Sequence, residues 1–272
     1  MKWPLLAFVA MAAAGADRIT LLYDSHAVAP LQGGWGYSAL VEYQGKRILF
    51  DAGAAGPALS ANTKALGIDL AKLDAVVISH DDPDHYAGLD VVYGANPKVP
   101  VYVPDVESGA FGMGMMNRLY RTIQSVVPGQ HVVDPPANAH YVRVREAAAI
   151  LLGARVVSLP FDSGQRREQV LLVDVPGGVA LISGCAHPGI VKLVQQAGSR
   201  VRVAAGGFHL TTSSEADVRK TVQALKQAGV ESVYPAHCTG RFATDELRRV
   251  FKEGFGMVAV GGSVTLPTRT GR

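Results

Sequence analysis

The feature that most constrains this chain is a cluster of acids and histidines that directly follows a short apolar run. Residues 75–78 have the apolar, β-branched pattern of a buried strand. Four potential metal ligands follow within seven residues: His80, Asp82, Asp84 and His85. Imidazole and carboxylate groups bind Zn, Fe and Mn in proteins. A tight turn after the strand would bring these side chains into one small volume, and their spacing suits two neighbouring cations.

The alternative interpretation of this cluster is an acidic surface turn whose aspartates cap a helix. That interpretation accounts for Asp81 and allows for Asp82, because aspartate is a common capping residue. It does not account for two histidines and a third acid at these offsets. A metal site therefore explains more of the segment than a capped turn does.

The rest of the chain alternates between short apolar runs and segments of helical character. Helices are predicted over 57–66, over 190–197, and from an N-capping Ser214 to the closing Gly229. Residues 109–130 are interpreted as a helical insertion near the site. Alternating strands and helices predict an α/β fold, in which ligands bind at the carboxyl ends of strands. Three more histidines follow apolar runs and are expected at that edge: His187, His209 and His237.

The composition limits the partners that the protein can have. The 272 residues, 48% of them hydrophobic, are enough for one large buried core, and the formal net charge is only +3. No run of Lys and Arg is dense enough for a nucleic-acid track, and Arg166 and Arg167 are interpreted as a solvated pair. We therefore expect a small-molecule substrate and no nucleic-acid partner.

The first sixteen residues have the order of a secretory signal peptide. Lys2 supplies the positive start, residues 5–14 are mostly apolar, and small residues at 14–16 precede a cleavage point. The alternative is a first buried helix or strand of the domain. We expect residues 1–16 to be removed, which leaves a domain over 17–272 in the bacterial periplasm or outside the cell. No later stretch has the apolar length that a membrane span needs, so no stable span is expected in the mature protein.

The two cysteines, Cys185 and Cys238, each lie within two residues of a histidine. In an exported protein they could form a disulfide. Their placement beside histidines indicates a metal site at least as strongly as it indicates a disulfide.

The ligand cluster and several turns resemble the metallo-β-lactamase superfamily. Its hallmark, His-x-His-x-Asp-His after a strand, corresponds here to His80, Asp82, Asp84 and His85. The resemblance implies a four-layer αβ/βα sandwich with the metal site at the edge where two sheets meet. Further segments resemble the superfamily or its dihydropterin-methyl-ribofuranosylaminobenzene-phosphate synthase-like branch: 35–38, 50–53, 62–69, 183–190, 206–210 and 235–240.

Two positions depart from the superfamily pattern. Asp82 replaces the second histidine of the hallmark, and the added carboxylate favours Fe, Mn or a mixed site over plain zinc. Cys185 stands where the pattern has a bridging aspartate. Cys185 could ligate as a thiolate, or His187 could take that role. We favour His187 because neutral imidazole is the commonest metal ligand.

The resemblance implies two divalent cations, Zn or Fe/Mn, and a hydrolase, or a related transferase or lyase, that uses a metal-bound water on an ester, phosphoester or lactone-like substrate. The ligand set implied for the first cation is His80, Asp82 and His187. The set implied for the second is Asp84, His85 and His237. Two alternatives stay open, an iron-containing redox enzyme and a non-catalytic protein that binds a metal or ligand in a degenerate site.

Two residues are catalytic candidates. Asp84 would steer the attacking water as well as binding a cation. His209 would act as a hydrogen-bond donor, a substrate contact or a general acid. Asp51 is expected to orient a ligand histidine, as carboxylates beside metal sites often do. Trp35 and Asp24 are expected, on the resemblance alone, to form a substrate wall.

Overall fold

The structure, a computed structural model, describes residues 16–106, 111, 135–164 and 166–267. Apart from Ala16, the predicted signal peptide lies outside the described residues. The interpretation of 109–130 as a helical insertion lies outside them as well, apart from Phe111.

The first sheet has seven strands in the order β13-β1-β2-β3-β4-β5-β6. Strands β13, β1, β2 and β3 pair antiparallel, and β3 to β6 run parallel. The strands are β1 Arg18–Tyr23, β2 Ser38–Tyr43, β3 Lys46–Phe50, β4 Ala75–Val77, β5 Pro100–Pro104, β6 His140–Val144 and β13 Ser263–Thr265. The helices of this half are α1 Gly56–Ala65, α2 Pro83–Tyr86 and α3 Leu89–Ala95.

The second sheet has six strands in the order β12-β11-β10-β9-β8-β7. Strands β7 to β10 pair antiparallel, and β10, β11 and β12 run parallel. The strands are β7 Ala147–Leu151, β8 Ala154–Phe161, β9 Arg166–Val175, β10 Gly178–Ser183, β11 Val201–Gly207 and β12 Ser232–Ala236. The helices of this half are α4 Ile190–Gln196, α5 Glu215–Gln227 and α6 Arg241–Phe251.

The two sheets pack face to face and are covered by helices on their outer faces. Phe50 and Val77 of the first sheet share a buried cluster with Leu171 and Ile182 of the second. Two further clusters join the outer face of each sheet to its own helices. This is the four-layer αβ/βα sandwich that the sequence predicted, and each layer buries one apolar face of the next.

The predicted helices are confirmed with small shifts at their ends. Helix α1 covers 56–65 and α4 covers 190–196, each ending one residue earlier than predicted. Helix α5 begins after Ser214, whose side chain accepts a hydrogen bond from the Asp217 amide. No helix among the described residues is long and apolar enough to cross a membrane.

Candidate metal centre

The predicted site residues meet at one edge of the sandwich because they follow the carboxyl ends of neighbouring strands. Two histidines follow β4 in the first sheet, and three follow β10, β11 and β12 in the second. The ring centroids of His80 and His85 are 4.2 Å apart, those of His80 and His187 are 4.6 Å apart, and those of His85 and His237 are 5.0 Å apart. The structure therefore brings together the histidines that the sequence assigned to one site.

The two aspartates of the cluster each lie between a pair of histidines. Asp82 Oδ2 is 3.1 Å from His80 Nε2 and 3.9 Å from His187 Nε2. These three residues are the set expected for the first cation, and they lie on one side of the site.

Asp84 occupies the corresponding position on the other side. Its Oδ2 is 3.6 Å from His85 Nε2 and 3.4 Å from His237 Nε2. Burial lowers the pKa of His85, but the carboxylates of Asp84 and Asp51 outweigh it and raise that pKa to about 10. The same negative potential would attract a cation.

Cys185 lies between the two groups of ligands. Its Sγ is 3.4 Å from His85 Nε2. The potential ligand atoms of His80, Cys185 and His187 lie within 4.8 Å of one another, and so do those of His85, Cys185 and His237. The sequence favoured His187 over Cys185 for this role, whereas the structure brings both side chains into the site.

The hydrogen bonding of His237 tests whether these residues fit a metal ion. Its side chain is fully buried, yet neither ring nitrogen has a hydrogen-bond partner among the described residues. Burial, together with the neighbouring histidines, lowers the pKa of His237 to about 2, so its ring is neutral and keeps a lone pair. A buried unsatisfied polar group costs roughly 1–3 kcal/mol. A cation at the site would satisfy Nε2, so the donor set fits a metal.

Asp51 fixes the orientation of the histidines that follow β4. Its Oδ1 accepts a hydrogen bond from the Ser79 amide at 2.6 Å, and its Oδ2 accepts from Ser79 Oγ at 2.7 Å and from His85 Nδ1 at 2.7 Å. Because the Ser79 hydroxyl donates to Asp51, its Oγ accepts a hydrogen bond from His80 Nδ1, which lies 2.8 Å away. In their neutral forms, both imidazoles therefore present Nε2 to the site. The sequence anticipated this role for Asp51 but missed Ser79.

Glu168 fixes the turn and the histidine that follow β10 in the second sheet. The sequence did not predict this role. This buried carboxylate accepts hydrogen bonds from the amides of Cys185, Ala186 and His187 at 2.9, 2.7 and 2.7 Å. It also accepts from His187 Nδ1 at 2.9 Å. Burial alone would raise the pKa of Glu168, but the hydrogen bond from His187 and the nearby imidazoles lower it below its ordinary value. The only signal in the sequence is an acid at the start of an apolar strand.

Arg166 is bound to two aspartates of the cluster, so the interpretation of Arg166 and Arg167 as a solvated pair is wrong for Arg166. Its Nη2 donates to Asp81 Oδ1 at 2.6 Å and to Asp82 Oδ1 at 2.6 Å. Burial acts to raise the pKa of Asp82, but His80 and Arg166 outweigh it and hold that pKa well below its usual range. Arg166 therefore leaves Asp82 Oδ2 as the oxygen directed at the histidines, and it neutralises part of the added charge.

Aromatic rings border the site on both sides. Trp35 packs on His237 with ring centroids 4.6 Å apart and is 53% exposed. Phe161 stacks on His187 at 4.7 Å, with the guanidinium of Arg166 4.9 Å above its ring. Trp35 thus lies against His237 with about half of its surface in solvent, and its part in a substrate wall stays a prediction.

His209 is exposed beside the site, with its ring centroid 4.4 Å from that of His187. A hydrogen bond to Cys238 outweighs burial and raises the pKa of His209. Both cysteines are buried free thiols, so the disulfide that the sequence left open is absent from the structure. Cys238 Sγ instead donates to the Cys185 carbonyl at 3.6 Å.

Comparison with known proteins assigns the family. A model of the metallo-beta-lactamase superfamily matches residues 33–237, which is most of the chain. The protein therefore belongs to the metallo-beta-lactamase superfamily.

Among its relatives is a Methanocaldococcus jannaschii protein named 7,8-dihydropterin-6-methyl-4-(beta-D-ribofuranosyl)-aminobenzene-5'-phosphate synthase. It is 27% identical over 262 residues, which cover 83% of this chain and 88% of the relative. The branch identified from the sequence is thus represented among the relatives of this protein.

Two solved structures confirm the fold. Tm1679, described as a metal-dependent hydrolase of the beta-lactamase superfamily, aligns with a TM-score of 0.69 at 24% identity, covering 92% of this chain and 99% of that one. The metallo-beta-lactamase fold protein YhfI from Bacillus subtilis aligns with a TM-score of 0.59 at 12% identity, covering 91% of this chain and 98% of that one.

Proposed function

We propose that this protein is a metal-dependent hydrolase that binds two divalent cations and cleaves an ester, phosphoester or lactone-like bond in a small molecule. The observation that carries the proposal is the pair of ligand groups at the sheet edge, which share the Cys185 thiol and include a buried His237 without hydrogen-bond partners. Membership of the superfamily supports it as well. The test is a panel of phosphoester, lactone, thioester and β-lactam substrates, assayed with protein of known metal content. No turnover with any metal would contradict hydrolysis.

Each proposed cation would be held by residues from both sheets. One cation would be held by His80, Asp82 and His187, and the other by Asp84, His85 and His237. Cys185 lies within reach of both sets. Once bound, two cations polarise a substrate oxygen and lower the pKa of water towards about 7.

The remaining steps belong to side chains of this protein. Asp84 Oδ2 faces the centre of the site and would accept a hydrogen bond from the attacking water, which fixes the direction of attack. His209 is exposed next to His187 and would donate a proton to the leaving group. Trp35 would contact the apolar part of the substrate, because its exposed ring packs against His237 at the site.

A related transferase or lyase reaction is the second candidate. The archaeal relative is named as a synthase, and it resembles this chain over most of both lengths. The two candidates share the metal centre and differ in the group that attacks the substrate. Product analysis in water enriched in ¹⁸O separates them, since a hydrolase incorporates the label into product.

The metal preference follows from the donor atoms. Cys185 adds a soft sulfur ligand, which favours zinc, and Arg166 offsets part of the charge of Asp82 that favoured iron or manganese. We expect about two zinc ions per chain in protein recovered from its native compartment, measured by elemental mass spectrometry. An intense visible colour from ferric iron would instead favour the redox alternative.

Cys185 and Cys238 offer a matched pair of variants. We expect Cys185→Ser to lower metal content and, after cobalt substitution, to remove the sulfur-to-cobalt charge-transfer absorption. Cys238→Ser should keep that absorption, because the Cys238 thiol groups with Cys185 and His209 and with none of the four histidines expected as ligands. Equal absorption in the two variants would show that Cys185 is not a ligand.

Trp35 provides a reporter of metal binding that does not depend on activity. The chain has two tryptophans, and the other, Trp3, lies in the leader that we propose is removed on export. Because the Trp35 ring contacts His237, we expect its fluorescence to change when zinc is added to chelator-treated protein, and to saturate at the site stoichiometry. His237→Ala should abolish most of that change. A response that persists in this variant would place the metal elsewhere.

A further inference from the structure

A cavity of about 310 Å³ opens beside the candidate metal centre, on the side of His237. Its floor includes the end of β12, and one wall is the start of α6. Cavities that bind small molecules begin at about this size. A phosphate group would fill only part of the volume, which leaves space for the organic part of a substrate.

One face of α6 lines the cavity through Arg241, Thr244, Asp245 and Arg248. Helix α6 begins at Arg241 after Gly240, and no side chain caps its first turn. The first backbone N–H groups of a helix have no partner within the helix and carry a partial positive charge, so they favour anions. Gly240 and Arg241, where this helix begins, line the cavity together with His237.

One of the two arginines around the cavity has no carboxylate partner in the described part of the chain, although the lining also includes the carboxylates of Asp24 and Asp245. Asp245 forms an ion pair with Arg248 at 2.7 Å. The carboxylate of Asp24 accepts hydrogen bonds from the amides of Ser25 and His237. Arg241, by contrast, is exposed and makes no ion pair or side-chain hydrogen bond with any residue that the structure describes.

His237 is the second, independent sign of a ligand here. It lines the cavity, its side chain is fully buried, and both ring nitrogens lack partners. A cation near Asp84 would satisfy Nε2, which lies 3.4 Å from the Asp84 carboxylate, but it would leave Nδ1 without a partner. A polar ligand in the cavity can supply the hydrogen-bond partner that Nδ1 lacks.

We propose that this cavity binds a phosphate group carried by the substrate, held by the Arg241 guanidinium and the first turn of α6. Three terminal oxygens suit a bidentate guanidinium together with backbone N–H donors better than the two oxygens of a carboxylate do. The group would lie next to the cations, so the reacting bond would belong to the same small molecule. The part of this proposal that concerns turnover rests on the hydrolase function proposed above, whereas the binding of phosphate does not.

The test is calorimetric titration of inorganic phosphate into the full chain, before and after chelator treatment. We expect saturable binding in both states, and Arg241→Gln should weaken it about tenfold or more, as expected for the loss of a charge-assisted hydrogen bond. The control is Arg249→Gln, which removes the same charge from α6 at a position paired with Glu246 and outside the cavity lining. Acetate should bind more weakly than phosphate.

Three results would overturn the phosphate site: no saturable binding, unchanged affinity in Arg241→Gln, or equal losses in both arginine variants. The site and the hydrolase function can also fail separately. If Arg241→Gln weakens phosphate binding while no substrate is hydrolysed, only the hydrolase function is wrong. If substrates are hydrolysed while Arg241→Gln leaves the affinity for phosphate unchanged, only the phosphate site is wrong.

Discussion

Asp84→Ala is expected to reduce turnover by more than about a hundredfold and to lower metal content from about two ions per chain towards one. The Asp84 carboxylate lies between His85 and His237, so its removal takes away a proposed ligand and the group that would direct the attacking water. Replacing even the partners that orient metal ligands costs about 10–100-fold, and a direct ligand should cost more. Turnover and elemental analysis on the same preparation measure both effects.

The fold should survive this substitution because the Asp84 side chain makes no hydrogen bond that holds a strand or helix among the described residues. Asp174→Ala is the matched control, since it removes an exposed carboxylate that pairs with Arg155 at 2.9 Å, near the end of β9 opposite to Arg166 and Glu168. It should leave both turnover and metal content unchanged. If the Asp84→Ala protein keeps full activity and binds two metal ions, the assignment of Asp84 to the site is wrong.

Glu168→Ala is expected to lower the free energy of unfolding of the metal-free protein by about 3–5 kcal/mol. Its carboxylate accepts hydrogen bonds from three consecutive amides and from the His187 ring, and all four donors would be left without this partner. Breaking a buried charged network by deleting one partner costs about this much. For a domain of this size the melting temperature should fall by roughly 10 °C, measured by calorimetry after chelation.

Two other glutamate variants make this prediction specific. Glu168→Gln keeps the volume and one carbonyl oxygen, so its loss of stability should be smaller than that of Glu168→Ala. Glu231→Ala removes a surface carboxylate that pairs with Arg200 and Arg202, and exposed pairs contribute only about 0–1 kcal/mol. If metal-free Glu168→Ala and metal-free wild type have the same melting temperature, the Glu168 hydrogen bonds do not stabilise the turn at 185–187.

The sequence predicted that the side chains at 80–85 come together, because these residues are close together in the chain. The strand before His80 and the turn at 80–85 form a local unit, and local spacing limits where those side chains can point. The later histidines were placed by a general rule, that the carboxyl ends of parallel strands meet at one edge. Strands β10, β11 and β12 do run parallel, so His187, His209 and His237 reach the same edge.

The contacts of Arg166 and Glu168, which the sequence missed, join residues well separated in the chain. Arg166 reaches Asp81 and Asp82 across 85 and 84 positions, and no periodicity in either segment points to the other. Glu168 binds a turn 17 to 19 positions away, and its burial becomes visible only once β9 lies inside the second sheet. The role of Cys185 depends on the same docking of the two sheets, so residue type alone favoured His187.

The division of the ligands between the two sheets has a consequence for how the protein matures. Four of the six proposed ligands have been synthesised by residue 85, but the last histidine is added only at residue 237, and β13 at Ser263–Thr265 then completes the first sheet. A nascent chain therefore holds at most a partial, weak set of donors for most of its synthesis. Capture of the proposed cations should accordingly be a late event, and the cation concentration wherever folding finishes would decide which ion the protein binds.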